Sequence, residues 1–418
     1  CNQSDKSYRW PVVTLLMLAA ALLSKPSAVI LPGLFVLLDY FAQAAQSSNQ
    51  LFKKNPSHWR DTLLSKWPYF LLSAVVAVMA ITIQYRGSHS EFISHQGIVE
   101  RLGYLPARLA FYVQLMVWPS GLAFDYAQPI GTQLWILGTL GLSMLLGFSW
   151  FSWKYRHRYP MVMVAWLWIL LSLLPVLGVF YVGGGFAADR YTYLALAGPA
   201  LALARSIGLS KGKFRAIGIG LMACLSIACG VQTYHQVQVW KNNETLFTHG
   251  VKSQPRSATA HTNLAGYYRQ QGHDDLALHH YQQALKMDGS DYIIHYNIAQ
   301  IQLKRSDTEA AMQSCRLALR SHPRYARAHF LLARLAEKSG NNPELALQHF
   351  AMACRWGSND PKHTVAYAIA LSKREQYQQA TEVLQQRLRS GPMQASDRKA
   401  MQELLKRFKF RAELQTKP

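Results

Sequence analysis

The chain has 418 residues, half of them hydrophobic, with 44 Lys and Arg against 22 Asp and Glu, a formal charge of +22. In a soluble protein that excess would point to nucleic acid, but the mean hydropathy of -0.02 averages two unlike halves: long apolar runs through residue 235, then polar, helix-forming sequence. Much of the Lys and Arg sits in short loops between the apolar runs, the pattern of cytoplasmic loops in an inner-membrane protein, so we discount a nucleic-acid partner.

A membrane-spanning helix needs about 20 apolar residues. Candidates lie at 10–24, 27–41, 67–85, 131–151, 161–182, 190–207 and 214–233, with an ambiguous one at 103–118. The chain opens on Cys1 with no complete signal peptide before the first run, and we expect an N-terminally truncated fragment. The basic loops 52–66, 154–158 and 205–215 are expected on the cytoplasmic side. That sidedness puts Lys25, the 86–102 loop, the stretch Gly183–Arg190 and everything after Tyr234 on the opposite side. A full span at 103–118 would break the count. We therefore read 103–126 as a re-entrant or interfacial hairpin that turns at Trp118-Pro119-Ser120-Gly121, with Arg101, Arg108 and Asp125 as its polar face.

The stretch Gly183–Pro199, GGGFAADRYTYLALAGP, sets Asp189 and Arg190 side by side where a membrane helix begins. An ionisable pair at that depth needs a partner or a water-filled cavity. With Lys25 and Asp125 it would form a cavity of two cations and two carboxylates, suited to a phosphate-bearing lipid. Arg grips phosphate bidentately and Lys adds a point charge. The residues alone leave plainer readings open: an interfacial ion pair, a snorkelling Lys25, a turn-capping Asp125. Asp39, at the end of the second helix, reads as interfacial.

From residue 257 a 34-residue period emerges. His261, His295 and His329 fall at one repeat position, followed by Leu264-Ala265, Ile298-Ala299 and Leu332-Ala333. The second helix of each unit repeats Ala277, Ala311 and Ala346, then Tyr281, Cys315 and Phe350, then Ala284, Ala318 and Ala353. A fourth unit contributes Tyr367-Ala368, Tyr377 and Ala380. This is the tetratricopeptide pattern of paired antiparallel helices, with small residues where helices cross closely. We place repeats at 257–290, 291–324, 325–359 and 360–393, a leading half-repeat at 236–256, and a capping helix and tail at 394–418. The aligned histidines sit about 8–10 Å apart on stacked repeats, too far to share a metal, and read as packing residues. The five cysteines (Cys1, Cys224, Cys229, Cys315, Cys354) show no metal or redox spacing. We expect no metal site and assign no cofactor. Asn263 and Asn297 share a position on the first helix of their repeats, where a side-chain amide can satisfy both groups of an extended peptide backbone; a solvated helix surface is the alternative.

Together these features resemble the transmembrane and tetratricopeptide-repeat O-mannosyltransferase family. The motifs are Leu22-Leu23-Ser24-Lys25-Pro26, Trp118 with Phe124-Asp125-Tyr126, Asp189-Arg190-Tyr191-Thr192-Tyr193-Leu194, and Trp240 with Glu244-Thr245-Leu246-Phe247. The resemblance implies an all-α chain: a polytopic membrane bundle of the GT-C glycosyltransferase type over 1–235, followed by a repeat solenoid outside the cytoplasm. It also implies a polyprenyl-phosphate-linked sugar, mannose or a relative, as donor. Its catalytic base is an acidic residue in the first extracytoplasmic loop, which we expect to precede this fragment; Asp125 is the substitute within it. Lys25 and Arg190 would bind the donor phosphate, Asp189 would orient Arg190, and the repeats would present an acceptor polypeptide through Asn263 and Asn297. Partners would be membrane lipid, the lipid-linked sugar and the acceptor, at a bacterial inner membrane with periplasmic repeats. Two other readings stay open: a ligase or polymerase using a polyprenyl-diphosphate oligosaccharide, and a membrane-anchored scaffold for envelope proteins.

Overall fold

The structure is a computed structural model describing residues 4–46, 63–86, 102–178, 186–289, 291–340, 342–357 and 360–415, all helix, turn and loop. Statements of absence below refer to these residues. Cys1, Arg101, Gly183–Gly185 and the basic residues Lys53, Lys54 and Arg60 lie outside them. The chain divides into two compact units, Cys1–Gln254 and Pro255–Pro418.

In the first unit, α1 (Ser4–Ser24) meets a 3₁₀ turn (Pro26–Ile30), with Pro26 in its first turn where a missing N–H costs nothing. Then come α2 (Leu31–Gln46) and α3 (Trp67–Arg86). α4 (Leu105–Val117) has 13 residues, about 20 Å of helix, too short for a hydrocarbon core of about 30 Å. It is also packed inside protein: Ala107, Leu109, Ala110 and Tyr112 are buried. The helix ends before Trp118, and Gly121 turns the chain at φ +64°. An irregular stretch then returns with Ala123 and Tyr126 buried beside α4. This is the geometry expected of the hairpin.

α5 (Thr132–Lys154), α6 (Pro160–Leu173, continued by a 3₁₀ turn at Leu174–Val176), a 3₁₀ turn at Asp189–Tyr191, α7 (Thr192–Leu209) and α8 (Gly212–Val239) follow. Of the span expected at 161–182, the described part is helical to Val176 and turns at Leu177–Gly178, after Pro175 interrupts the hydrogen-bond ladder; 179–182 lie outside the described residues. Close approaches fix the packing. Gly141 of α5 lies directly on the Pro106 carbonyl of α4, and Gly198 of α7 on the Trp168 ring of α6. The Trp168 indole N–H also donates to the Leu194 carbonyl at 2.7 Å.

Three stretches are long and apolar enough to cross a bilayer: Thr132–Lys154, Asp189–Leu209 and Gly212–Val239. The other apolar helices offer 10–17 residues. Large apolar side chains point outward throughout, among them Trp135, Leu146, Leu221 and Ile227, and α8 has no buried residue. So much exposed apolar surface is stable only against lipid or protein, and the unit is membrane-associated.

α8 runs unbroken to Val239, so the chain has no boundary at 235. After it, α9 (Asn243–Ser253) opens with a capping box in which the Asn242 side chain accepts from Thr245 N–H and Thr245 Oγ1 accepts from Asn242 N–H. Phe247 stacks edge-on against Phe124 at 5.7 Å, and Gly250 abuts the same ring. These contacts draw the leading half-repeat into the first unit.

The second unit is the expected array. Its helix pairs are α10 (Ala258–Gln270) with α11 (Asp274–Met287), α12 (Tyr292–Lys304) with α13 (Thr308–Ser321), α14 (Ala326–Ser339) with α15 (Pro343–Trp356), and α16 (Pro361–Ser372) with α17 (Tyr377–Arg389). α18 (Ala395–Gln415) closes it, burying Met401 and Phe408 against α17 and leaving its charges outward. Polar N-caps start the helices: Ser257, Asp307 and Asn342 each accept from a backbone N–H three residues on, and Asp291 and Asp360 from one two residues on. Every small residue of the ladder is buried, from Ala265, Ala299 and Ala333 to Ala277, Ala311 and Ala346. Their missing bulk is what lets the paired helices approach.

Candidate functional site

The first unit has two distinguishable ends. At one, Asp39 pairs with Lys66 at 2.8 Å, and Tyr40 lies in the electrostatic field of Arg156. At the other, the turn between α1 and α2, the end of α6 and the start of α7 enclose a cleft of about 370 Å³. Lys25, Ser24, Ser172, Arg190 and Tyr191 line it beside apolar Ile30, Leu31, Val176 and Leu194. Lys25 and Arg190 are 165 positions apart in sequence, yet both lean on Tyr191: the Lys25 ammonium lies 5.8 Å from its ring centre and the Arg190 guanidinium 5.3 Å. Both cations are exposed at the cleft mouth. Aromatic faces hold cations weakly, so the pair is placed without being neutralised.

The carboxylates behave otherwise than expected. Asp189 does not pair with Arg190. Its carboxylate accepts a short hydrogen bond from the Tyr126 hydroxyl, and that hydroxyl accepts from Ala123 N–H at 3.1 Å. Tyr112 adds a second tie by accepting from Ala188 N–H at 3.3 Å. Asp189 therefore ties the 3₁₀ turn that carries Arg190 and Tyr191 to the hairpin. The cause is reach: the hairpin buries Tyr126 against the turn, and a phenol there compensates a half-buried carboxylate. Asp125 does not line the cleft either. It is half-buried in the hairpin, one residue from the tyrosine that grips Asp189, and this corrects its expected place beside the two cations. Tyr126, Tyr112 and Tyr191 are the site residues that sequence reasoning did not single out, although Tyr126 and Tyr191 stand inside the quoted motifs.

In the repeats, Asn263 and Asn297 occupy the same place, six residues past the N-caps Ser257 and Asp291. Both are half-buried. Leu331 and Ala366 follow at the next two equivalent positions, so the amide ladder has two rungs.

The aligned histidines are packing residues, but with polar partners. His261 Nε2 bonds the Pro255 carbonyl at 3.2 Å and its Nδ1 meets His280 Nδ1 at 3.0 Å. His329 repeats this with Pro323 at 2.9 Å and His349 at 2.8 Å. The carbonyl fixes the proton on Nε2, leaving Nδ1 to accept from the second ring. His295 has no such partner ring: the equivalent position is Ser314, which donates to Gln302. No group of three or more His, Cys, Asp or Glu among the described residues could hold a metal.

A family model described as tetratricopeptide repeat matches residues 262–326 and 316–361. Among curated relatives, the mouse protein O-mannosyl-transferase TMTC1 is 27% identical over 200 residues, covering 43% of this chain and 20% of the relative. The Caenorhabditis elegans protein O-mannosyl-transferase F38B6.6 is 26% identical over 183 residues, covering 43% of this chain and 26% of that one. The chain thus matches about a fifth to a quarter of the length of these relatives. Among solved structures, YrrB, described as a TPR protein with an unusual peptide-binding site, aligns at a TM-score of 0.33 and 19% identity over 40% of this chain and 90% of its own. The family model and the curated relatives bear out both the repeats and the resemblance to the O-mannosyltransferase family.

Proposed function

We propose that the chain is part of a membrane glycosyltransferase of the GT-C type, moving a mannose-like sugar from a polyprenyl phosphate to Ser or Thr hydroxyls of an exported polypeptide. The observation that carries this is the convergence of Lys25 and Arg190 on one cleft around Tyr191. The names of the curated relatives support the reaction class. Two cations at the mouth of a cleft, with apolar helix faces beside it, suit an anionic headgroup whose tail lies in lipid. The cleft volume falls at the small end of the range for small-molecule sites, about 300–1,000 Å³.

In this reading Arg190 and Lys25 meet charge that grows on the phosphate as the sugar–oxygen bond breaks. Fixed donors in a low-dielectric site stabilise that charge more than water would. Asp189 and Tyr126 hold the turn so that Arg190 need not reorganise. The cleft end faces the extracytoplasmic side, and the Lys66 and Arg156 end the cytoplasm, by the positive-inside rule. The repeats present the acceptor, with Asn263 and Asn297 gripping its backbone. In a bacterium this compartment is the periplasm.

The test is Arg190→Ala in cells. Loss of glycan from exported proteins, with the protein still membrane-inserted and the repeats folded, is expected. Unchanged glycan would remove the donor site from Arg190.

A further inference from the structure

The repeat unit carries 24 Lys and Arg against 14 Asp and Glu, and its carboxylates are largely committed. Asp274 pairs with Lys304, Asp275 with Arg305, Glu337 with Lys373 and Glu344 with Arg374. Asp291, Asp307 and Asp360 cap helices. Arg269 and Arg327, on the first helices of the first and third repeats, are in none of these ion pairs. Arg269 of α10 donates to the Gln300 side-chain carbonyl at 3.0 Å, and the Gln300 amide donates to the Tyr296 hydroxyl at 2.9 Å, both on α12. Tyr296 packs edge-on against Tyr325 at 5.3 Å, and Arg327 of α14 acts electrostatically on both tyrosines. One connected strip thus crosses three repeats, cationic at both ends and aromatic in the middle. Neither guanidinium has a carboxylate within 4 Å among the described residues.

The amides Asn263 and Asn297 lie on the same α10 and α12 helices, six positions before Arg269 and three before Gln300. Amides that grip backbone carry little sequence choice, whereas Arg269 on α10 and Arg327 on α14 demand an anion. We propose that the polypeptide taken by this surface is acidic, with Asp or Glu side chains received by Arg269 and Arg327 while Tyr296 packs between them. This rests on the acceptor role proposed for the repeats and narrows it: the hydroxyls glycosylated would lie in or beside acidic segments. Like-charged, basic segments would be rejected at encounter.

The experiment uses the full chain in nanodiscs of neutral lipid and fluorescence anisotropy with a labelled Ser/Thr peptide rich in Glu, against the same peptide with Gln in place of Glu. The acidic peptide is expected to bind at least about tenfold tighter, with a preference that shrinks as salt rises and vanishes in R269Q/R327Q. Arg327 is exposed, so Arg327→Glu keeps the fold and should favour the neutral peptide. Equal binding of the two peptides would overturn the charge preference and leave the acceptor role standing. No binding of either would overturn the acceptor role itself. Competition by an oligonucleotide as effective as the acidic peptide would show a general polyanion surface and also overturn the proposal.

Discussion

The two histidine pairs make the repeat unit sensitive to acid at two places and not at a third. Burial first, and then the facing ring, lower His280 and His349 from the ordinary 6.5 to about 4. Burial likewise lowers His261 and His329. In the unfolded repeat these rings titrate near 6.5, so between about 6.5 and 4 the opened state binds protons that the folded state refuses. Stability is therefore fully present above 6.5 and lost as pH falls through that window. A fully enclosed ring would lose about 3 kcal/mol; these rings are partly open to water, and screening leaves about 1 kcal/mol per pair, or about a fivefold rise in local opening. Hydrogen exchange by mass spectrometry on the full chain, corrected for intrinsic rates, reads this helix by helix. Between pH 7.5 and 5, protection should fall in α10–α11 and α14–α15. It should hold in α12–α13, where Ser314 stands in for the second ring. His280→Gln and His349→Gln should flatten the response of their own repeats. An equal loss across all three repeats would refute the reasoning.

Gly141→Ala puts a methyl group into the Pro106 carbonyl, a backbone atom that cannot rotate away. About 1–3 kcal/mol of overpacking outweighs the roughly 1 kcal/mol gained in helix propensity, so the midpoint of thermal unfolding in detergent should fall. A midpoint at or above wild type would show that α4 and α5 do not meet there. Cysteine labelling separates two environments. Cys224 and Cys229 are exposed on α8 and should react with a lipid-soluble maleimide but resist a water-soluble one. Cys315, whose thiol burial pushes up to about 12, should react with neither until urea opens the repeats. Labelling of Cys224 by the water-soluble reagent in intact membranes would take α8 out of the bilayer.

The repeats and apolar helices were legible in the sequence because both are local. A 34-residue spacing of Ala265, Ala299 and Ala333 records the same helix crossing three times, and a run of apolar residues records its solvent directly. The hairpin over 103–126 was read from the charge count of the loops around it. Cleft membership was not legible in full. Lys25 and Arg190 were paired on sidedness alone; that they share Tyr191, and that Asp125 stays outside, depend on how α1, α6 and α7 cross.

The sequence by itself determined which segments are helical, which are apolar and which repeat, since each follows from side chains within a turn or two. Only the tertiary structure decided the partners. Asp189 had Arg190 as its neighbour in the chain, but burial of the hairpin brought it Tyr126, and the same logic gave His261 and His329 partner rings while leaving His295 without one. Contacts between distant segments are set by helix crossing and by which polar group is left needing a partner after burial, and neither is written in local spacing.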